Sequence, residues 1–398
     1  MKKAKWIVML LAVALVVGLV AVAAVSCGTS TSTSSSGSTA TTAGPTTTDN
    51  GKNYDFVVSL AMPSSASLFN TFIMPWSLDV SAASNGRITF DMKEANTLVK
   101  EDQQIDAVLN GTSDITAFQP DWAAGVYPVL ELSEMPMIFP DEQTAVKVEW
   151  DLINQYALNA ELKDFHVLGL MFISASQWGG KKAVHVPADF KGVRVRSGGG
   201  VETDTINALG GVPVETETMD LATALTRNMF DGLFLTWSFH AGNTNQWCTQ
   251  WTKTDMFYRC LVLAMSKERW DSLPAAVQKA FDDNSSVEDS VKYSIDDVKY
   301  NLDNASMPGL RDRNLDYVAI QERAKKVGGT IYELSADEKA QWKAAVQKVL
   351  DGWVTKYASM VPSQEIMDKC NELIQQYAGS ATTGTTGAAA ETTTTAGQ

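Results

Sequence analysis

The chain has 398 residues, 45% of them hydrophobic, and sets 46 acidic against 32 basic side chains for a formal net charge of −14. So acidic a surface repels polyanions, which excludes nucleic acid and anionic membrane surface as partners. Three histidines and four cysteines, with no Cys-x-x-Cys or His-Glu-x-x-His spacing, give no support for a metal site, and no cofactor is expected.

Residues 1–26 read as an export signal: Lys2, Lys3 and Lys5 precede an apolar run from Trp6 to Val25 that ends in small residues. Cys27 follows directly, a placement that resembles a bacterial lipoprotein cleavage box, although Ala24 stands where such boxes usually carry Leu. The expectation is a lipid on Cys27 that anchors the protein to the membrane. An uncleaved helix is the alternative, because a run of about 20 residues is long enough to span a bilayer. Either way the rest is exported, and loss of the three lysines takes the formal charge from −14 to −17. Residues 27–52 and 379–398 are mostly Ser, Thr, Gly and Ala; they cannot bury enough apolar surface to offset ordering, so a disordered linker and tail are expected. The roughly 330 residues between them exceed what one core usually supports, which predicts two lobes.

Tyr54 to Met62 reads as a strand ended by Pro63, and Phe69 to Ala83 has helical spacing. Asn85-Gly86 then turns the chain into "RITFDM". Glu101 to Asn110 places Ile105, Val108 and Leu109 on one helical face, Asn110-Gly111 stops it, and "DITAF" follows as a short strand. The same unit recurs later: a helix from Leu221 to Arg227, the stop residue Asn228, Asp231, then the strand "GLFLTW". One such unit per lobe is the signature of paired α/β domains. Ligands of open α/β sheets bind beyond the carboxyl ends of the strands, so Phe118, Gln119, Thr236 and Trp237 are candidates to face a shared cleft. Steps of three and four predict a long helix over 286–304 that packs across both lobes, and Trp342 to Tyr357 forms a last amphipathic helix. Cys248 and Cys260 could close a short disulfide loop, leaving Cys370 unpaired.

The stretch "VRVRSGGG" carries the chemistry. A period of two puts Val193 and Val195 on one face and Arg194 and Arg196 on the other, at the exit of the strand. Either guanidinium could hold a carboxylate with two parallel hydrogen bonds, or pair with the many acidic side chains. The glycines permit backbone angles that other residues resist, or a close backbone approach. They do not form a dinucleotide fingerprint, since Thr203 stands where Gly or Ala is required. No Gly-x-Ser-x-Gly elbow or paired-carboxylate spacing marks an active site, and no enzymatic activity is expected.

The segments "SNGRITFDM", "LNGTSDI", "DFKGVRVR", "NALGGVPV", "ALTRNMFDG" and "MSKERWDSLPAAVQKAF", in this order, resemble the extracytoplasmic solute-binding subunits (DctP-like) of tripartite ATP-independent periplasmic (TRAP) transporters. The resemblance runs from about Tyr54 to Tyr377 and implies a two-lobed α/β fold of the periplasmic-binding-protein kind (type II-like): two mixed sheets flanked by helices, a hinge, and a long helix crossing both lobes. The lobes are expected at 53–172 plus 262–300 and at 173–261 plus 301–378. Function is implied as capture of a small organic acid and its delivery to integral-membrane TRAP subunits. A binding protein for another importer, or a ligand-sensing ectodomain, shares the fold; an extracytoplasmic enzyme is the third reading. The family's ligand arginine falls on Arg196. Members of the sialic-acid type carry a second arginine where this chain has Ser176 beside Gln177 and Trp178, and a polar run where it has Leu233-Phe234-Leu235. These departures imply a ligand with one carboxylate and a less hydroxylated body, flanked by Trp178 and Trp237.

Overall fold

The structure, a computed structural model, describes residues 51–302 and 316–381. The signal segment, Cys27, most of the linker and the tail lie outside the described residues. Two sheets organise the rest. The first joins β1 (Tyr54–Ser59), β2 (Ile88–Lys93), β3 (Ile115–Phe118), β4 (Phe165–Phe172) and β10 (Cys260–Ser266) in the order β2-β1-β3-β10-β4. The second joins β5 (Gln177–Gly180), β6 (Arg194–Ser197), β7 (Val212–Glu215), β8 (Gly232–Leu235), β9 (Gln250–Lys253) and β11 (Ile331–Glu333) in the order β11-β9-β5-β8-β6-β7. Both are mixed: β1 is parallel to β2 and β3 while β10 is antiparallel to β3 and β4, and β8 is parallel to β6 but antiparallel to β5.

The repeated helix-stop-aspartate-strand unit has one physical purpose in each sheet. Gly111 and Asn228 adopt positive φ, 77° and 50°, and turn each chain into its strand. The Asp114 carboxylate then accepts the Val57 N–H of the neighbouring strand at 2.9 Å, while its own N–H donates to the Val57 carbonyl at 2.9 Å. Asp231 does the same to Arg194, at 3.0 and 2.7 Å. An arginine backs each carboxylate, Arg269 at 2.7 Å and Arg194 at 2.8 Å. The aspartate therefore satisfies the strand-end amide that the sheet ladder leaves open.

Two segments run between the sheets, 173–176 and 254–259. They are zipped together: Ile173 N–H donates to the Arg259 carbonyl at 2.8 Å, and Ser176 exchanges bonds of 2.9 Å with Phe257 and Met256. Gln177 fastens the pair, its side-chain oxygen accepting from the Thr254 and Asp255 amides at 2.8 and 3.1 Å and its NH2 donating to Asp255 Oδ1 at 2.9 Å.

The helix over Val287–Leu302 lies where the periodicity placed it, and its first half packs on the first sheet. Its Ser290 and Ser294 hydroxyls accept the amides of Leu170 and Phe172 in β4, at 3.2 and 3.3 Å, and Tyr293 packs on Phe72. A helix that reaches both sheets is Ala336–Tyr357, 22 residues long and opened by a Ser335/Glu338 capping box. Near its start, Trp342 donates to the His185 carbonyl at 2.8 Å and packs edge-on to Phe190. Near its end, Trp353 donates to the Pro128 carbonyl at 3.1 Å, and Tyr357 and Lys356 bind Glu131 at 2.5 and 3.1 Å. At about 1.5 Å per residue its length of some 33 Å suffices to cross both layers. The last helix, Ser363–Ala381, packs back on helix Glu142–Leu152, with Tyr377 donating to Asp151 at 2.7 Å. The Cys248–Cys260 bridge that the sequence left open is not formed: both thiols, and that of Cys370, are free and buried.

Candidate functional site

The carboxyl ends of β6, β7 and β8 share one edge of the second sheet, because these strands are parallel. Alternation separates the two arginines only by depth. Arg194 is exposed and pairs with Asp231, whereas Arg196, one step nearer the edge, is 6% exposed. Its Nε and Nη2 donate to the Thr216 carbonyl at 3.1 and 2.8 Å, which fixes the plane of the guanidinium. Contacts to Glu202 from Nη1 at 3.4 Å and to Thr218 from Nη2 at 3.5 Å are long. The guanidinium is thus held closely by Thr216 and only loosely by Glu202 and Thr218.

The glycines after Arg196 meet two demands. Gly199 and Gly200 have φ of 103° and 48°, the region L side chains avoid, and this bend starts helix Gly200–Leu209. A Cβ on Gly198 would lie 3.3 Å from Glu202 Oε2 and 3.4 Å from Arg196 Nη1, so its backbone backs directly onto that ion pair, and its N–H donates to Glu202 at 2.8 Å.

Glu202 connects the two sheets' edges. It accepts from Arg259 at 2.9 Å, and Arg259 also donates to Asp121 at 3.0 Å, just beyond β3. Burial disfavours the Arg259 cation, but Glu202, Asp121 and Glu134 outweigh it and raise its pKa. Burial lowers that of Arg196, opposed by Glu202 and reinforced by Arg259. The acids move the other way. Burial pushes Asp121 upward against Arg259, and lifts Glu134 well above the ordinary carboxylate range with help from Asp121. Glu101 is raised by burial and by Asp121, with Arg196 opposing. Asp121, Glu134, Gly199, Val201, Glu202, Phe257 and Arg259 line a narrow pocket at this junction. Among the described residues no group of three or more His, Cys, Asp or Glu side chains is arranged to hold a metal ion, and no helix is long and apolar enough to cross a membrane.

The other expected site residues scatter. Trp178 is fully buried in the main core, edge-on to Phe190 and Phe234 at 5.0 and 5.5 Å between centroids, with its N–H on the Lys182 carbonyl. Trp237, 6% exposed, packs with Leu233 and Leu221 in a separate cluster. Leu233 and Phe234 alternate along β8, so the two tryptophans occupy opposite faces of the sheet and cannot flank one ligand. Phe118 is core too, packed on Tyr127 and Phe165, and Gln177 is spent on the crossing segments. Thr236 caps the short helix Trp237–Phe239, accepting from Phe239 N–H at 3.3 Å. Gln119 is half-buried, two residues before Asp121. Sequence reasoning missed Glu202, Asp121, Glu134, Arg259 and Phe257. The one available signal was Arg259, a cation set directly before the wholly apolar "CLVLAM" of β10.

The model of the family described as bacterial extracellular solute-binding protein, family 7 (DctP) matches residues 59–299. The chain belongs to this family. A curated family relative, a Haemophilus influenzae protein described as uncharacterized, is 26% identical over 240 residues, 57% of this chain and 68% of its own length. Among solved structures, the fold is similar to a TRAP solute-binding protein of Rhodoferax ferrireducens in complex with copurified benzoate, with a TM-score of 0.72, 23% identity, and coverage of 83% of this chain and 100% of that one. It is similar also to a marine metagenome TRAP protein specific for aromatic acid ligands and crystallised with 3-hydroxybenzoate, at a TM-score of 0.71, 23% identity, and coverage of 82% and 99%. The two-lobed architecture, the DctP membership and an extracytoplasmic location of the receptor follow from these findings.

Proposed function

We propose that this family 7 receptor captures a small organic acid through a carboxylate seated on Arg196 and delivers it to the membrane subunits of a TRAP-type transporter. The observation that carries the reading is the state of Arg196: a guanidinium 6% exposed, held in plane by Thr216, whose remaining contacts, to Glu202 and Thr218, are long at 3.4 and 3.5 Å. Similar structures hold benzoate, 3-hydroxybenzoate or mandelate, each a small acid with one carboxylate. Phe257 and Val201 line the junction and offer the ligand body apolar surface. Residues 173–176 and 254–259 act as the hinge on which the lobes close. Calorimetry against benzoate, mandelate, pyroglutamate and glucuronate tests the reading. Binding of the single-carboxylate, lightly hydroxylated acids supports it, and affinity for glucuronate alone rejects it.

We further propose that Cys27 carries a lipid that tethers the receptor at the membrane. Cys27→Ala then releases the protein into the soluble fraction; a variant that stays membrane-bound would show the apolar segment itself to be the anchor.

A further inference from the structure

The pocket beside Arg196 is chemically lopsided. Glu101, Asp121, Glu134 and Glu202 gather around only two cations, Arg196 and Arg259, so the site holds two more carboxyl groups than cations before any ligand arrives. A bare carboxylate would add to that excess in a place where burial makes uncompensated charge costly. The hydrogen-bond inventory points the same way. Asp121 and Glu202 each give one oxygen to Arg259, and the other oxygen of each, Oδ1 and Oε1, is buried without a hydrogen-bond partner among the described residues. Glu134 Oε1 is in the same condition. Glu134 and Glu202 are 5% and 4% exposed. Three unsatisfied acceptors thus line one pocket, whose volume of about 10 Å³ accommodates a single group the size of water.

We propose that this pocket receives a protonated primary amine of the ligand, so that the captured metabolite is an amino acid with its carboxylate on Arg196 and its ammonium among Asp121, Glu134 and Glu202. This rests on the carboxylate assignment to Arg196 made above. An ammonium has three N–H donors and a positive charge, and so matches both the number of open acceptors and the surplus of carboxyl groups. A hydroxyl offers one donor and no charge. The two halves of the site are close enough for one small molecule, since Glu202 touches Arg196 Nη1 at 3.4 Å and also lines the pocket.

Matched ligand pairs test this: leucine against 4-methylpentanoate and phenylalanine against 3-phenylpropanoate, titrated calorimetrically into the wild-type protein and into Glu134→Gln. Glu134 has no ion-pair partner among the described residues, and Gln keeps its size while removing the carboxyl group; a thermal melt verifies that the variant is folded. The expected result is that the amino acid of at least one pair binds about 10-fold or more tighter than its amine-free counterpart, and that Glu134→Gln erases most of the difference. If the amine-free acids bind as well or better, the amine inference falls while the Arg196 reading stands. An undiminished preference in folded Glu134→Gln would likewise overturn the assignment of the pocket. If no acid binds, with or without an amine, both readings fail together.

Discussion

Replacing Arg196 by lysine keeps the charge and removes the geometry. The wild-type guanidinium spends Nε and Nη2 on Thr216 at 3.1 and 2.8 Å and can still turn two parallel N–H groups to a carboxylate that displaces its long contacts to Glu202 and Thr218. A lysine ammonium is a compact point donor on a flexible stem and cannot do both at once. The ligand therefore loses one charge-assisted hydrogen bond, worth about 1.5–3 kcal/mol, and at 1.4 kcal/mol per tenfold the Kd rises about 10- to 100-fold. Burial at 6% exposure places the effect toward the upper end, because water is poorly placed to replace the missing donor. The assay is calorimetry of both proteins with whichever acid binds the wild type best, with a denaturation curve to show that Arg196→Lys remains folded. A folded variant whose Kd lies within about twofold of the wild type would refute the clamp.

Two further predictions probe the scaffold. His240 is wholly buried, its Nε2 donating to the Gln177 carbonyl at 3.0 Å and its Nδ1 within 2.7 Å of the Thr244 hydroxyl, and burial lowers its pKa from 6.5 to about 4. The unfolded chain binds the proton first, so stability present in full above pH 6.5 is lost as pH falls from there toward 4, by about 3 kcal/mol in total. Urea midpoints across that window check it, and His240→Gln should flatten the slope; an unchanged slope would exclude His240 as the source. Gly232→Ala would place a Cβ 2.2 Å from the Trp178 ring, which Phe190 and Phe234 hold in place. The variant should lose about 1–3 kcal/mol in urea unfolding, and wild-type stability would contradict the placement of Trp178 in the core.

Much of the fold was legible because its causes are local. The recurring helix-stop-aspartate-strand unit showed in the sequence since each aspartate repairs the amide of an adjacent strand, a job that demands one residue type at one offset. Alternation in "VRVR" set the arginines apart from the valines, but their depth depends on which residue lies nearest the strand's exit, and only the family resemblance singled out Arg196. The rest of the site rests on contacts far apart in the chain. Arg259 meets Asp121 across a separation of 138 residues and Glu202 across 57, so no window of sequence contains the network. Trp178 was misjudged for a related reason: its ring fills the space above Gly232, and that vacancy belongs to a neighbouring strand. The contacts that helix Ala336–Tyr357 makes with both sheets were not legible either. An amphipathic stripe states that a helix packs, whereas the partners of Trp342 and Trp353, His185 and Pro128, decide what it packs on.

The central claim is that a carboxylate sits on Arg196, and a crystal structure of the receptor with its copurified or highest-affinity acid tests it most directly. The account predicts both carboxylate oxygens within hydrogen-bond distance of Arg196 Nη1 and Nη2, with Thr216 still holding Nε. A bound acid whose carboxylate lies on any other cation, with Arg196 engaged only by Thr216 and Glu202, would contradict it.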